Sequence, residues 1–540
     1  MQADQINRIE VDWQALFKPI AGLQSSPESA RVINEIVIKP ETIPIIFVPG
    51  IMGSRLKYTR EKAKAWDPDD PGFMLRKYGR FFLTPDERKT SVVGRQSHDS
   101  SYLEVDPVSL KIPASGKERG WAGVAWSFYG GILKALSAHQ WPEPLNACFN
   151  FPVYAFGYNW TDSNRESGEK LAAAIKKIID DHAMQGKCRQ VILVTHSMGG
   201  LVARSACKLH GAEGSVLGVV HGTQPATGAP AAYQRMKHGN RDLDGSLWDW
   251  LCHPISKIME KGAERVLGDE GQEVTVLLAH MPGGLELLPN QLYKTNDGNA
   301  QWLSYERADG SRIALPRQSD PYAEIYLEKD APYRLVDPDW LGGKSSSGYE
   351  KQVRNAWKSY SHNLNLAKSF HDDLADYIHP ESFQFYSTAI KTADKIKIIG
   401  HKIPGQHLYY YKTMQGTRYF EFRDSQNNRL DVQNDPFFED PTSFDQHPRR
   451  KELLIVYAYA VEPPSGLGDG TVPDGSGRAL NAKPSYYDKG ANGTVDIDAQ
   501  DEQEAARVHD QIFNTSTAQH ITLKAIENLC KTKIKNETGA

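Results

Sequence analysis

Val191-Ile-Leu-Val-Thr-His-Ser-Met-Gly-Gly-Leu-Val-Ala-Arg204 reads as a buried strand, a sharp turn and the start of a helix, with Ser197 at the apex. Val191–Val194 is continuously apolar and β-branched, as a strand covered on both faces must be. Gly199–His210 continues with helical character, and the small residues Gly199 and Gly200 let helix and strand approach each other. This is the pattern of an elbow that pushes a serine hydroxyl out of a sheet edge for nucleophilic attack. Thr195 stands where such turns usually carry glycine, so the match is one residue short, although threonine is still small. A serine that merely capped the helix would read the same way locally. An acid, a base and an oxyanion-binding loop elsewhere in the chain separate the two readings. His196 is expected to support the turn and not to serve as the base.

Working outward, four more short apolar runs read as strands: Ile43–Val48, Phe151–Phe156, Val216–Val220 and Leu453–Ala460. Ser167–Ala183 carries Leu171, Ile175, Ile178 and Ile179 on one stripe, a helical face. Strands alternating with helices predict an α/β fold with a mostly parallel sheet. The rhythm stops near Pro225 and resumes near Lys451. A structureless loop of that length is implausible within a domain, so 225–450 is expected to be an inserted cap or lid over the sheet's carboxyl edge. The expected organisation is a 1–40 arm, a 41–224 first core part, the cap, and a 451–540 second core part. Ser54–Gly120 is a smaller excursion.

The remaining chemistry lies where such a sheet would place it. Phe47-Val-Pro-Gly-Ile-Met-Gly-Ser54 ends the first strand in a glycine-rich turn. Its backbone N–H at Ile51, with Met52 close behind, is the expected partner of the Met198 N–H in holding a developing oxyanion. Asp469, between two glycines in Ser465-Gly-Leu-Gly-Asp-Gly-Thr-Val-Pro-Asp474, is the candidate acid that orients the base, with Asp474 as runner-up. His509 in Ala506-Arg-Val-His-Asp-Gln-Ile-Phe-Asn514 is the candidate base. His520 lies in the expected last helix, Ser516–Cys530, and is the alternative. The order Ser197, Asp469, His509 is the one this architecture uses.

Composition narrows the class. Of 540 residues 24% are charged, and the formal net charge of -4 with no long basic run argues against a nucleic-acid partner. Cys148, Cys188, Cys207, Cys252 and Cys530 form no CxxC pair and do not resemble a disulfide framework. The histidines lack metal-site spacing, and no cofactor is implied because the acid–base chemistry is complete without one. The acidic turn Asp67-Pro-Asp-Asp70 suits either calcium or plain solvation. The opening residues lack a basic segment followed by an apolar one, and no stretch approaches the length that spans a bilayer. The chain is therefore expected to be made soluble in the cytoplasm, outside the general secretory route.

Together these pieces resemble the lecithin:cholesterol acyltransferase-like branch of the α/β-hydrolases: Pro49-Gly-Ile-Met-Gly-Ser54, His196-Ser-Met-Gly-Gly200 and Gly468-Asp-Gly-Thr-Val-Pro473. Trp66-Asp-Pro68, Gly120-Trp-Ala-Gly-Val124, Tyr158-Asn-Trp160 and Leu285-Glu-Leu-Leu-Pro289 are weaker echoes. Asn159 and Thr161 replace the acid and the arginine of the family's Tyr-Asp-Trp-Arg. Val220-His-Gly-Thr-Gln-Pro-Ala-Thr-Gly-Ala-Pro-Ala-Ala-Tyr233 is similar to bacterial lipases of this branch delivered by type VI secretion. That similarity implies a phospholipase that attacks competitor membranes, a secretion-system component as partner, and a cognate immunity protein.

The triad chemistry specifies acyl transfer and leaves the acyl group open. A hydrolase of lipid esters, a lipid acyltransferase and a cytosolic esterase of small esters would share these residues. A catalytically dead hydrolase scaffold used for binding is the alternative of another class. Asp244–Gly268 carries Leu247, Trp248, Leu251, Ile255, Ile258 and Met259 at near-helical spacing. That stripe suits either an interfacial lid helix or the buried face of a cap helix.

Overall fold

The computed structural model describes residues 5–18, 20, 23, 32–78, 103–107, 112–238, 271–307, 310–341, 349–388, 390–403, 408–412, 418–423, 429–430, 437–438, 456–461, 465–480, 483–484 and 508–539. The expected lid stripe Asp244–Gly268 lies outside them.

Six parallel strands among the described residues form the central sheet. They are β1 (Ile45–Val48), β2 (Val153–Ala155), β3 (Val191–His196), β4 (Val216–Gly222), β5 (Ser382–Phe385) and β6 (Lys483–Pro484), in spatial order β6-β5-β4-β3-β1-β2. Every residue of β1 and β3 is buried, which explains why both read as unbroken apolar runs. The helices are α1 (Trp126–Ala138), α2 (Asn164–Ala183), α3 (Gly199–Leu209), α4 (Pro230–His238), α5 (Tyr349–Leu374) and α6 (Ser516–Thr538). α2 starts where Ser163 Oγ accepts the Arg165 N–H. The buried Glu286 carboxyl, from the segment Leu285–Pro289, accepts from Ser163 Oγ at 2.6 Å and from the backbone and side chain of Asn164 at 2.8 and 2.7 Å. α6 is longer than expected, is capped by Thr515, and buries Ile521, Ala525 and Leu529.

Register decides where the chemistry can sit. Thr195 of β3 pairs with Val48 of β1, and His196 pairs with Gly222 of β4. The loops leaving β1, β3 and β4 therefore converge at one point on the carboxyl edge.

Two expectations need correction. The run Leu453–Ala460 is not a core strand: Val456–Val461 pairs antiparallel with Ile396–Ile403 and Phe437–Phe438 in a second sheet that also holds Leu303–Glu306 and Arg312–Leu315. A short apolar run reveals burial but not its partner. Nor is 225–450 wholly an insertion, since β5 lies inside it beside β4 and α5 packs on α3. α5 buries Tyr360, Leu364, Ala367, Phe370 and Leu374 at helical spacing within a heavily charged stretch, and β5 is only four residues long. The 1–40 arm contains a parallel pair, Gln5–Asp12 with Val32–Lys39. It is anchored by buried Trp13, whose Nε1 donates to Glu41 at 3.2 Å.

Candidate active site

Ser197 occupies the turn between β3 and α3 with a φ of 50°, a left-handed conformation that a non-glycine residue adopts at a cost of about 1–3 kcal/mol. The strain is held in place because the Ser197 N–H donates to Gly222 O at 2.9 Å and Ser197 O accepts the Gly200 N–H at 2.9 Å. A Cβ on Gly199 would lie 2.5 Å from the carbonyl oxygens of Val48 and Pro49, so only glycine lets the helix start this close to β1. Thr195 is tolerated because its Oγ1 is bonded to His221 Nδ1 on the neighbouring strand at 3.0 Å.

His509 Nε2 lies 2.9 Å from Ser197 Oγ, and His509 Nδ1 lies 2.6 Å from Asp469 Oδ2. All three groups are buried. Asp469 Oδ1 accepts the N–H groups of Thr471 and Val472 at 2.9 and 2.7 Å, which aims the other oxygen at the imidazole. The loop itself is anchored by the ribbon Ile390–Thr392 with Gly466–Gly468, and Thr392 Oγ1 accepts the Gly470 N–H at 2.8 Å. Burial pushes the His509 imidazole down, but the Asp469 charge and hydrogen bond outweigh it and hold the group above its ordinary value. This row can carry a proton from the serine hydroxyl to the imidazole.

The loop Pro49–Ser54 is held by its carbonyls. Tyr158 Oη donates to Pro49 O at 2.9 Å, Trp66 Nε1 to Met52 O at 3.1 Å and Trp160 Nε1 to Ser54 O at 3.2 Å. Gly50 O accepts the Gly53 N–H at 3.1 Å across a turn in which Met52 has a φ of 61°. Because peptides are planar and trans, fixing these carbonyls fixes the intervening N–H groups as well. Among the described residues, nothing accepts the N–H groups of Ile51, Met52 and Met198.

His196 joins the parts. Its Nε2 is 2.8 Å from His509 O, and a carbonyl can only accept, so Nε2 carries the proton. Burial, followed by the nearby His509, depresses it to about 3, so Nδ1 is bare and accepts from Tyr129 Oη at 2.9 Å. Tyr129 in turn accepts the Gly50 N–H at 3.2 Å. One neutral histidine thus ties the turn, the base's backbone and the Gly50 loop together, a supporting role as expected. Tyr129 had no sequence signal beyond a place on an amphipathic helix.

The runners-up lie elsewhere. Asp474 opens the helical turn Asp474–Gly477 and pairs with Arg478 at 3.3 Å, while His520 is exposed on α6. The acidic turn is not plainly solvated, since its carboxylates have protein partners. Asp69 pairs with buried Arg55 at 3.1 Å and accepts the first N–H groups of α1 from Trp126 and Ser127, while Lys64 bridges Asp67 and Asp70 at 2.7 and 2.9 Å. No cluster able to hold a metal occurs among the described residues, and no helix there is long and apolar enough to cross a membrane.

Residues 161–248, which include Ser197, match the PGAP1-like alpha/beta domain family. No curated protein matches the chain. Among solved structures, the complex of Tle4 with Tli4 aligns at a TM-score of 0.60 and 23% identity, covering 91% of this chain and 99% of that chain. That likeness shows the fold, an α/β-hydrolase sheet flanked by helices. The mature Bacillus licheniformis lipase BlEst2 aligns at 15% identity over 46% of this chain and 63% of that chain, with a TM-score of 0.19. Phospholipase PlaB from Legionella pneumophila aligns at 11% identity over 77% and 80%, with a TM-score of 0.18.

Proposed function

With an α/β-hydrolase fold as the premise, we propose that the chain is a serine hydrolase that cleaves carboxylic esters of lipids, a phospholipase or lipase. The support is the unbroken row Ser197 Oγ, His509 Nε2, His509 Nδ1, Asp469 Oδ2 at 2.9 and 2.6 Å. In this reading Ser197 Oγ attacks the ester carbonyl while His509 takes its proton. The N–H groups of Met198 and Ile51, with Met52 beside it, stabilise the tetrahedral oxyanion. His509 then protonates the leaving alcohol, and water activated by the same imidazole releases the fatty acid. Asp469 holds the Nδ1 side of the ring and stabilises the imidazolium.

A second part of the proposal concerns setting. The similarity of Val220–Tyr233 to type VI lipases, and a structural neighbour solved as a two-protein complex, support a secreted antibacterial effector countered by a cognate immunity protein.

The test is fatty-acid release from phospholipid vesicles and cleavage of a short-chain soluble ester by wild type and Ser197→Ala. Losing the nucleophile is expected to cut turnover by ~10⁴–10⁶. Serine-dependent cleavage of the soluble ester alone would remove the lipid claim. Equal behaviour of the two proteins on both substrates would remove the enzyme.

A further inference from the structure

Arg235 projects from α4, the helix that follows the loop leaving β4, and is 5% exposed. Its guanidinium makes no hydrogen bond and no ion pair among the described residues, and Nε is fully enclosed without a partner. The fold treats another buried arginine quite differently. Arg204 spends its donors on the carbonyls of Tyr377, Ala226 and Ala375 at 2.7, 3.1 and 3.0 Å. Arg235 is not loose, because its helix is fastened on either side of it. Tyr233 Oη donates to Tyr333 O at 2.8 Å, Lys237 Nζ to Arg334 O at 3.0 Å, and Met236 O accepts from Thr275.

The groups around it explain why the charge is left open. Arg235 stands close enough to the catalytic row for its charge to act on His509, Asp469 and Asp510. Asp510, the neighbour of the base, is buried with Oδ1 unpartnered. Burial pushes its carboxyl up against the pull of His509 and Arg235, which makes it a poor counter-charge, and no carboxylate among the described residues forms an ion pair with the arginine. Asp469 is already committed to His509 and to two backbone amides. A fixed, enclosed cation without a counter-charge is expensive to maintain, and an anion entering the site offsets that cost. The guanidinium fork matches the paired oxygens of a phosphate.

We propose that Arg235 binds the phosphodiester of the lipid whose ester is presented to Ser197, so that the substrate is a phospholipid and not a neutral glyceride. This rests on the hydrolase reading above. A neutral glyceride offers the same scissile ester but nothing to pair with the guanidinium. Arg235 thereby sets specificity and leaves the chemical step to Ser197, His509 and Asp469.

The test uses the full chain as wild type, Arg235→Gln, Arg235→Lys and Ser197→Ala. The substrates are dioctanoylphosphatidylcholine and dioctanoylglycerol in the same detergent micelles, which share both acyl esters and differ in the phosphocholine headgroup. Arg235→Gln is expected to lose roughly 30-fold in kcat/KM on the phospholipid and under about threefold on the diacylglycerol, with Lys intermediate. Equal losses on both, or none, would overturn the proposal. So would relief of octanoate inhibition in Arg235→Gln without any change in the preference between the two esters, since that assigns the arginine to the product carboxylate. Should Arg235→Gln fail to fold, wild type alone decides: it must favour the phospholipid by a similar factor. If wild type and Ser197→Ala cleave both lipids alike, the hydrolase reading has failed and not merely the specificity.

Discussion

Pro49–Ser54 reaches Ser197 from a strand next to the nucleophile's own, whereas Asp469 and His509 arrive from far along the chain, and the two sides are supported differently. On the first side, aromatic side chains from several elements each fix one peptide: Tyr158, Trp66, Trp160 and, through its hydroxyl, Tyr129. On the second, a single carboxylate orients the base and is itself aimed by backbone N–H groups. Distributed support should fail by degrees. Support through one group should fail at once.

Asp469→Asn is the sharpest way to break that comparison. The amide presents an N–H to His509 Nδ1, which shifts the imidazole proton to Nε2, the nitrogen that must accept from Ser197. A fall of ~10³–10⁴ in kcat with little change in thermal stability is expected on a soluble ester. The pH profile carries the sign. The neutral imidazole is the active form and the Asp469 charge holds it above its ordinary value. Wild-type activity should therefore rise with pH through a midpoint above about 6.5, the unperturbed histidine value. In the Asn variant the residual activity should rise at lower pH. An unchanged midpoint would mean that another group raises His509.

The same division governed what the sequence disclosed. β1, β3, β4 and the elbow are local patterns, buried on both faces and joined by short turns, so periodicity and small residues were enough to place them and to name Ile51, Met198 and Ser197. Asp469 and His509 were legible as residues because their glycine-rich loop and late position are themselves local. Their route to the site was not legible. Thr392, which anchors the acid loop, precedes it by a long excursion, and β5 and α5 hide in charged sequence where helical spacing survives only at Tyr360, Leu364, Ala367, Phe370 and Leu374. Arg235 gave no signal because an unpaired buried charge is defined by what does not touch it.

Tyr129→Phe tests the first side. It removes one oxygen and no packing volume, leaving the Gly50 N–H without an acceptor and His196 Nδ1 without a donor. Each is buried, so the expected destabilisation is about 1–3 kcal/mol, read as a shift in the urea midpoint. Because three other aromatic donors still hold the loop, kcat should fall by only roughly tenfold while KM stays put. A loss as deep as that of Asp469→Asn would show that the loop hangs on one bond after all.

The smallest effect should come from Asp474→Ala, on the same glycine-rich loop as the acid. Asp474 was the competing candidate by sequence because it too follows a turn near the sheet edge. Its carboxylate faces Arg478 at 3.3 Å in a partly exposed i,i+4 pair, and it begins a single helical turn. Such a pair contributes under about 1 kcal/mol, less at high salt. Turnover of the soluble ester is expected to stay within about twofold of wild type, with a slightly lower urea midpoint that added salt brings closer to wild type. A large loss of activity would move the acid along the loop. A small one leaves Asp469 alone in that role, because the two carboxylates share composition, neighbourhood and chain position and differ only in what they face.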